Sequence, residues 1–206
     1  MKQIFAAILC LIYLSSNAQN QLHVKSGKTF STFMFRNSEK TKDETLNHIT
    51  NNFFGMSYDM HFGKLQVLRP EVSYREAGAR SVLNSQKLSW KLNYLDINMA
   101  YMLKILDFEK IKLYQGVAPG VGILLAGEQF IGQEYHDLKA EKSIKTLDYG
   151  VNFILTSKIK ILENVFLSIE YRYGLGINQI ETNNNQSTQT SRNRFHGVFF
   201  GLALPF

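Results

Sequence analysis

The chain has 206 residues, of which 45% are hydrophobic, 13% aromatic and 19% charged, with a net charge of +6 from 23 basic and 17 acidic side chains. Beyond the first 18 residues no stretch supplies the about 20 consecutive apolar residues that a spanning helix needs, and no Pro-, Ser- or Gly-rich linker divides the chain, so one domain is expected. Lys and Arg are spread along the sequence without a cluster, which argues against nucleic acid as a partner and for anionic lipid headgroups as the counter-charge.

In chain order, Lys2 is followed by the apolar run Ile4 to Leu14 and then Ser15, Ser16, Asn17, Ala18 and Gln19. This reads as a secretory signal peptide over 1–18 with small residues before the cleavage point, leaving 19–206 as the domain. Cys10, the only cysteine, lies in mid-run with Leu9 before it, which does not suit lipidation. The mature chain is then expected to lack disulfides, thiol nucleophiles and thiolate metal sites.

Eight strands are predicted. The first, about 24–35, is weakly patterned, with Phe30, Thr32 and Met34 opposing Ser31, Phe33 and Phe35. The second sets Phe54, Met56, Tyr58, Met60 and Phe62 against Gly55, Ser57, Asp59 and His61, an alternation that no helix would show. The third, about 65–76, has Leu68, Pro70, Val72 and Tyr74 on one face and Arg69, Glu71, Ser73 and Arg75 on the other. The fourth, about 88–104, sets Leu95, Ile97, Met99 and Tyr101 against Asp96, Asn98 and Ala100. Its upper apolar set of Trp90, Leu92 and Tyr94 has the opposite parity, which predicts either a bulge near Tyr94 or a segment that has left the bilayer.

The fifth, about 112–126, alternates Val117, Pro119, Val121, Ile123 and Leu125 with Gly116, Ala118, Gly120 and Gly122, an inward face small enough to admit bulky neighbours. The sixth (about 145–157) and seventh (about 165–177) carry Asp148 and Asn152, then Glu170 and Arg172, opposite Leu, Ile, Val, Tyr and Phe. The last begins near Arg194 and ends Gly197-Val198-Phe199-Phe200-Gly201-Leu202-Ala203-Leu204-Pro205-Phe206. One of its faces is large and greasy, the other almost bare, and a terminal Phe on such a strand looks like the insertion signal of bacterial outer-membrane barrels.

Connections alternate in length. Short turns are expected at Gly63-Lys64, 106–110 and 158–164, and long polar loops at 36–51, 77–87, 127–144 and 178–193. The pattern predicts an all-β, eight-stranded, antiparallel, up-and-down transmembrane β-barrel in the outer membrane, with its short turns and both termini in the periplasm.

A soluble barrel of the lipocalin kind would turn its apolar face inward and its polar face to water. Here one face carries Asp59, Arg69, Glu71, Arg75, Asp96, Asp148, Glu170 and Arg172 while the opposite face has almost no charge. Basic residues exposed to lipid at midplane cost about 2–4 kcal/mol each, so this set is expected inside. An eight-stranded barrel is just wide enough for side chains to fill it, which predicts a plugged polar lumen, with Glu71 between Arg69 and Arg75 and Glu170 beside Arg172 or across to a neighbour. The set reads as a structural network, and a proton or ion path through it is the sharper alternative.

His23, His48, His61, His136 and His196 show no zinc-hydrolase spacing. Glu134, His136 and Asp137, with His48 from another loop, are the only candidates for an acid and base pair or metal ligands, and a polar loop needs no such role. No catalytic residue, metal site or cofactor is expected.

Five segments together resemble the PorT-like outer-membrane β-barrel proteins across the mature chain. They are Gly27 to Phe33; Leu68-Arg69-Pro70-Glu71-Val72-Ser73-Tyr74-Arg75-Glu76-Ala77-Gly78; Tyr94-Leu95-Asp96-Ile97-Asn98; Gly116 to Leu125; and Arg172-Tyr173-Gly174-Leu175-Gly176-Ile177. Arg69 and Asn98 depart from that family's usual Gln and Pro. The resemblance implies an outer-membrane barrel from an envelope with periplasmic secretion, some relatives assisting type IX secretion and most having no assigned task, and it carries no catalytic residues to this chain. A non-enzymatic outer-membrane barrel with a structural, surface-interaction or secretion-accessory role is therefore expected. The partners expected are outer-membrane lipid and lipopolysaccharide, the barrel-assembly machinery, and secretion-system or surface proteins. The alternatives are small-molecule or ion transport through the charged lumen and, further off, an enzyme acting on lipid or peptide at the outer rim.

Overall fold

A computed structural model describes residues 20–36, 46–83, 86–182 and 190–205. The expected signal peptide and Phe206 lie outside them. The strands are β1 (Gln21–Arg36), β2 (Ile49–Phe62), β3 (Gln66–Leu83), β4 (Gln86–Asp107), β5 (Ile111–Ile131), β6 (Glu134–Asp137), β7 (Leu147–Lys160), β8 (Phe166–Gly176) and β9 (Thr190–Pro205). The described residues contain no helix.

All pairings are antiparallel, in the order β4-β3-β2-β1-β9-β8-β7-β5, and a β4–β5 ladder closes the ring. Eight strands therefore form the wall, and β6 is a short hairpin strand that pairs only with the top of β5. The first and last strands meet along their whole length, from Gln21 opposite Pro205 to Arg36 opposite Thr190. Closure leaves no unpaired edge, which an apolar surrounding would otherwise penalise.

Outward positions carry Phe54, Met56, Val72, Ile97, Met99, Val117, Tyr149, Phe153, Leu155, Tyr171, Phe200 and Leu202, all exposed. A surface this apolar is stable only against lipid. On β1, β2 and β3 the band ends at one register row: Lys28 Nζ donates to Asn52 Oδ1 at 2.6 Å, and Asn52 donates through both its backbone N and Nδ2 to Glu76 Oε2 at 3.0 Å.

β2, β3, β4, β5 and β9 exceed their predicted lengths at the end bearing the long connections, here the loop end, whereas β7 and β8 stop short there. The described residues of the segment 77–87, expected as a loop, are instead paired between β3 and β4 up to Leu83 and Gln86. Ala77 and Ala79 point inward there, too small to register as an apolar face. Gly78 makes the hairpin fit: its φ is +152°, and an added Cβ would lie 1.9 Å from the Trp90 carbonyl oxygen. Gly78→Ala is expected to cost about 1–3 kcal/mol, seen as a lower temperature of heat-modifiable gel migration. An unchanged transition would mean that the hairpin shifts without penalty.

The ambiguity at Tyr94 has a definite answer. Asn93 pairs with Ala126 and Tyr94 with Leu124, so Leu125 is an extra residue in β5 and forms a bulge there. On β4, however, Leu92 and Tyr94 are buried with the same parity as Asp96. No face has switched; the interior itself becomes apolar at this height. Phe33, Ala77, Ala79, Leu92, Tyr94, Leu124, Leu138, Ile144 and Ile180 form one buried cluster, with Leu46 and Trp90 against it. Leu138, Ile144 and Ile180 come from the segments 127–144 and 178–193, read as polar loops, and their apolar side chains fold into the barrel mouth. The lumen is thus charged below and carries an apolar cluster above, beside the buried Ser31, Ser81 and Ser191.

Candidate functional site

Among the described residues, charged side chains converge in the polar interior. Ten charged residues are buried in it: Lys25, Arg69, Arg75, Lys158 and Arg172 against Asp59, Glu71, Asp96, Asp148 and Glu170. Five of each sign leave no net charge, the condition under which a low-dielectric interior tolerates them.

Three layers stack along the axis. Nearest the short-turn end, Asp59 on β2 accepts from Arg69 Nε at 2.5 Å and Nη2 at 3.0 Å, and from Lys158 Nζ at 2.6 Å, with His23 Nε2 3.1 Å away. Lys158 also donates to Gln21 Oε1 at 2.6 Å and lies 4.9 Å from the Tyr114 ring centroid. In the middle, Glu170 accepts from Lys25, Arg69 and Arg172 at 2.7, 2.7 and 2.6 Å and from Thr156 Oγ1 at 3.1 Å. Glu71 takes Arg172 in a two-pronged contact at 2.6 and 2.9 Å, and Lys25 at 2.6 Å. Toward the loop end, Arg75 grips Asp96 at 2.6 and 3.2 Å and approaches Asp148 at 3.6 Å.

Aromatic rings hold the cations between layers. The Arg172 guanidinium lies 5.5 Å from Phe53 and 5.6 Å from Phe199, whose rings are 4.1 Å apart, and Arg75 sits 4.8 Å from Tyr94 and 4.9 Å from Phe195. Bare positions make room for them. A Cβ on Gly201 would stand 2.7 Å from that of Lys25, and one on Gly197 2.7 Å from the Phe199 ring.

All eight sequence-predicted lumen residues are buried on the inner face, but their partners differ from local expectation. Glu71 meets neither Arg69 nor Arg75; it reaches across the lumen to Arg172 and sideways to Lys25. Arg69 joins Asp59 and Glu170. Residues two apart on a strand lie about 6.6 Å apart, whereas side chains from opposite walls of a narrow barrel meet tip to tip. Glu170 does bond its strand neighbour Arg172.

Lys25 and Lys158 were not anticipated. Lys158, assigned to a turn, lies within β7 and is fully buried. Its parity with Asp148, Asn152 and Thr156 was the available signal, interrupted by the apolar Ile154.

The outer candidates do not assemble a reactive site. His136 Nδ1 is 3.3 Å from Glu141 Oε1, and Asp137 Oδ1 accepts from the backbone N of Lys139 and Ala140 at 3.0 Å each, a turn-closing role. His48 instead sits 5.7 Å from the His196 ring, which stacks on Phe30 at 5.2 Å. Among the described residues no three His, Cys, Asp or Glu side chains are placed to hold a metal.

No protein-family model and no curated protein matches this chain. Solved structures do, through fold. Neisserial surface protein A aligns with a TM-score of 0.53 at 14% identity, over 90% of this chain and 97% of that one. The outer membrane protein OprG from Pseudomonas aeruginosa aligns at 0.47 and 8% identity, over 92% and 96% of the two chains. Ail, the attachment invasion locus protein of Yersinia pestis, aligns at 0.44 and 12%, over 91% and 99%. The fold is a closed, eight-stranded, antiparallel, up-and-down barrel of the outer-membrane kind.

Proposed function

We propose that this protein is a non-enzymatic integral outer-membrane β-barrel that acts as a structural, surface-interaction or secretion-accessory element through its long loops. The observation that carries the reading is the filled lumen. Its described buried charges are matched five to five and bonded across the barrel, beneath a buried apolar cluster at the loop end. Such an interior holds a wall together rather than turning over a substrate.

The apolar outer surface supports insertion in lipid, and the alternation of short and long connections supports termini and short turns in the periplasm with the loops outside. The sequence resemblance to PorT-like barrels favours a secretion-accessory task within this class. Its partners are then the assembly machinery during insertion, lipopolysaccharide around the wall, and a secretion-system or surface protein at the loops. In-cell crosslinking from the loops, followed by identification of the captured proteins, tests this; a barrel that captures only lipid would refute a protein partner.

Fractionation and heat-modifiable gel migration are expected to show an outer-membrane protein that runs faster unboiled than boiled, and a purely soluble product would refute the barrel reading. In a planar bilayer the protein is expected to give no steady single-channel steps. Stable steps would overturn the closed lumen and favour transport.

A further inference from the structure

Just below the apolar cluster the lumen contains a cavity of about 30 Å³, lined chiefly by Arg75, Asp96, Asn98, Asp148, Asn193 and a row of glycines. The glycines create it. Gly120 pairs with Gly150 and Gly150 with Gly176, so three adjacent strands offer bare backbone at one height. Asn98 flanks this row from β4, opposite Gly120.

Four buried polar atoms of its lining have no hydrogen-bond partner among the described residues: Arg75 Nη1, Asn98 Nδ2, Asp148 Oδ1 and Asn193 Oδ1. Their residues are all more than nine-tenths buried. The neighbouring bonds fix which way each group points. Asn98 Oδ1 already accepts from Asn152 Nδ2 at 3.0 Å, leaving its Nδ2 to donate. Asn193 Nδ2 already donates to Asp148 Oδ2 at 2.8 Å and to the Tyr94 hydroxyl at 3.2 Å, leaving its Oδ1 to accept. Asp148 Oδ1 faces the row, 3.4 Å from where a Cβ on Gly176 would stand.

We infer that this cavity is a built site for one structural water molecule, held by two donors and two acceptors. The ligand must accept from Arg75 Nη1 and Asn98 Nδ2 and donate to Asp148 Oδ1 and Asn193 Oδ1. An anion cannot donate to the carboxylate, and a bare cation cannot accept from the guanidinium and the amide. A neutral molecule with two of each function fits, and the volume admits water and little more, since one water needs about 10–15 Å³ of such space. The bound water joins β3, β4, β7 and β9, adding to the direct bonds that Asn193 makes to Tyr94 and Asp148 and Asn152 makes to Asn98. The site stands whether or not the barrel has a secretion partner.

The test is a crystal structure of the native protein at a resolution that shows ordered waters, grown with sodium chloride and again with rubidium chloride. The expected result is one peak at about 2.7–3.2 Å from each of the four atoms, with no anomalous signal in rubidium. An anomalous rubidium peak would overturn the proposal in favour of a cation, and so would collapse of the four groups onto one another. Gly150→Ala should abolish the peak, because its new methyl enters the cavity with a closest contact of 3.0 Å, to the Leu175 carbonyl oxygen. The same peak at full occupancy in that variant would overturn the placement. If the variant does not insert, the paired native crystals decide alone.

Discussion

Glu170→Ala is expected to be among the most damaging single substitutions in the barrel, lowering stability by about 3–5 kcal/mol. Glu170 is the shared acceptor for Lys25, Arg69 and Arg172, which come from three different strands. Removing it leaves those cations with only Glu71 and Asp59 between them and tips the lumen's five-to-five balance to a net positive charge. Urea unfolding in lipid vesicles would measure the loss. Changing Arg75 and Asp96 together to Met and Leu should cost less than losing Arg75 alone, because one carboxylate, Asp148, rather than two is then left without its guanidinium. A Glu170→Ala barrel that unfolds at the native urea concentration would refute the structural reading of the network.

Deleting Phe206 is expected to reduce membrane yield more than any change confined to the loops. The strand it follows, β9, is held by β8 on one side and by β1 on the other, so the ring cannot close until β9 is in place. Its outward residues Val198, Phe200, Leu202 and Leu204 present one apolar stripe. Folded protein in the outer-membrane fraction should fall steeply, with the remainder in the periplasm. Equal yield after deletion would overturn the expectation that Phe206 serves as an insertion signal.

The wall was legible because its signal has period two and its two faces differ in charge as well as size. Phe54 to Phe62 and Leu167 to Leu175 are alternations that only a strand with one lipid face explains. The loop end was harder to read, because the rule that inside is polar stops at the height of Tyr94. Trp90 and Leu92 looked like a parity switch, whereas the interior had changed character and the bulge sits on the neighbouring strand at Leu125. Leu138, Ile144 and Ile180 lie singly in polar stretches, and only the folded mouth brings them together. The charged residues could be assigned to a face but not to partners, since pairing across a barrel depends on which walls oppose one another. Glu71 with Arg172, 101 residues apart, is the clearest case.

The polar row of Lys28, Asn52 and Glu76 gives the barrel two different hydrophobic heights. On β8 the outward apolar positions run from Leu167 to Ile177, about 33 Å along the strand, while on β9 they run from Leu204 to Val198, about 20 Å, and on β1 Ser26 and Lys28 interrupt them between Val24 and Phe30. A bilayer of uniform thickness cannot match both sides of such a cylinder. The axis must lean, or the lipid beside the seam of first and last strands must thin, and chain length in the surrounding lipid then sets how far.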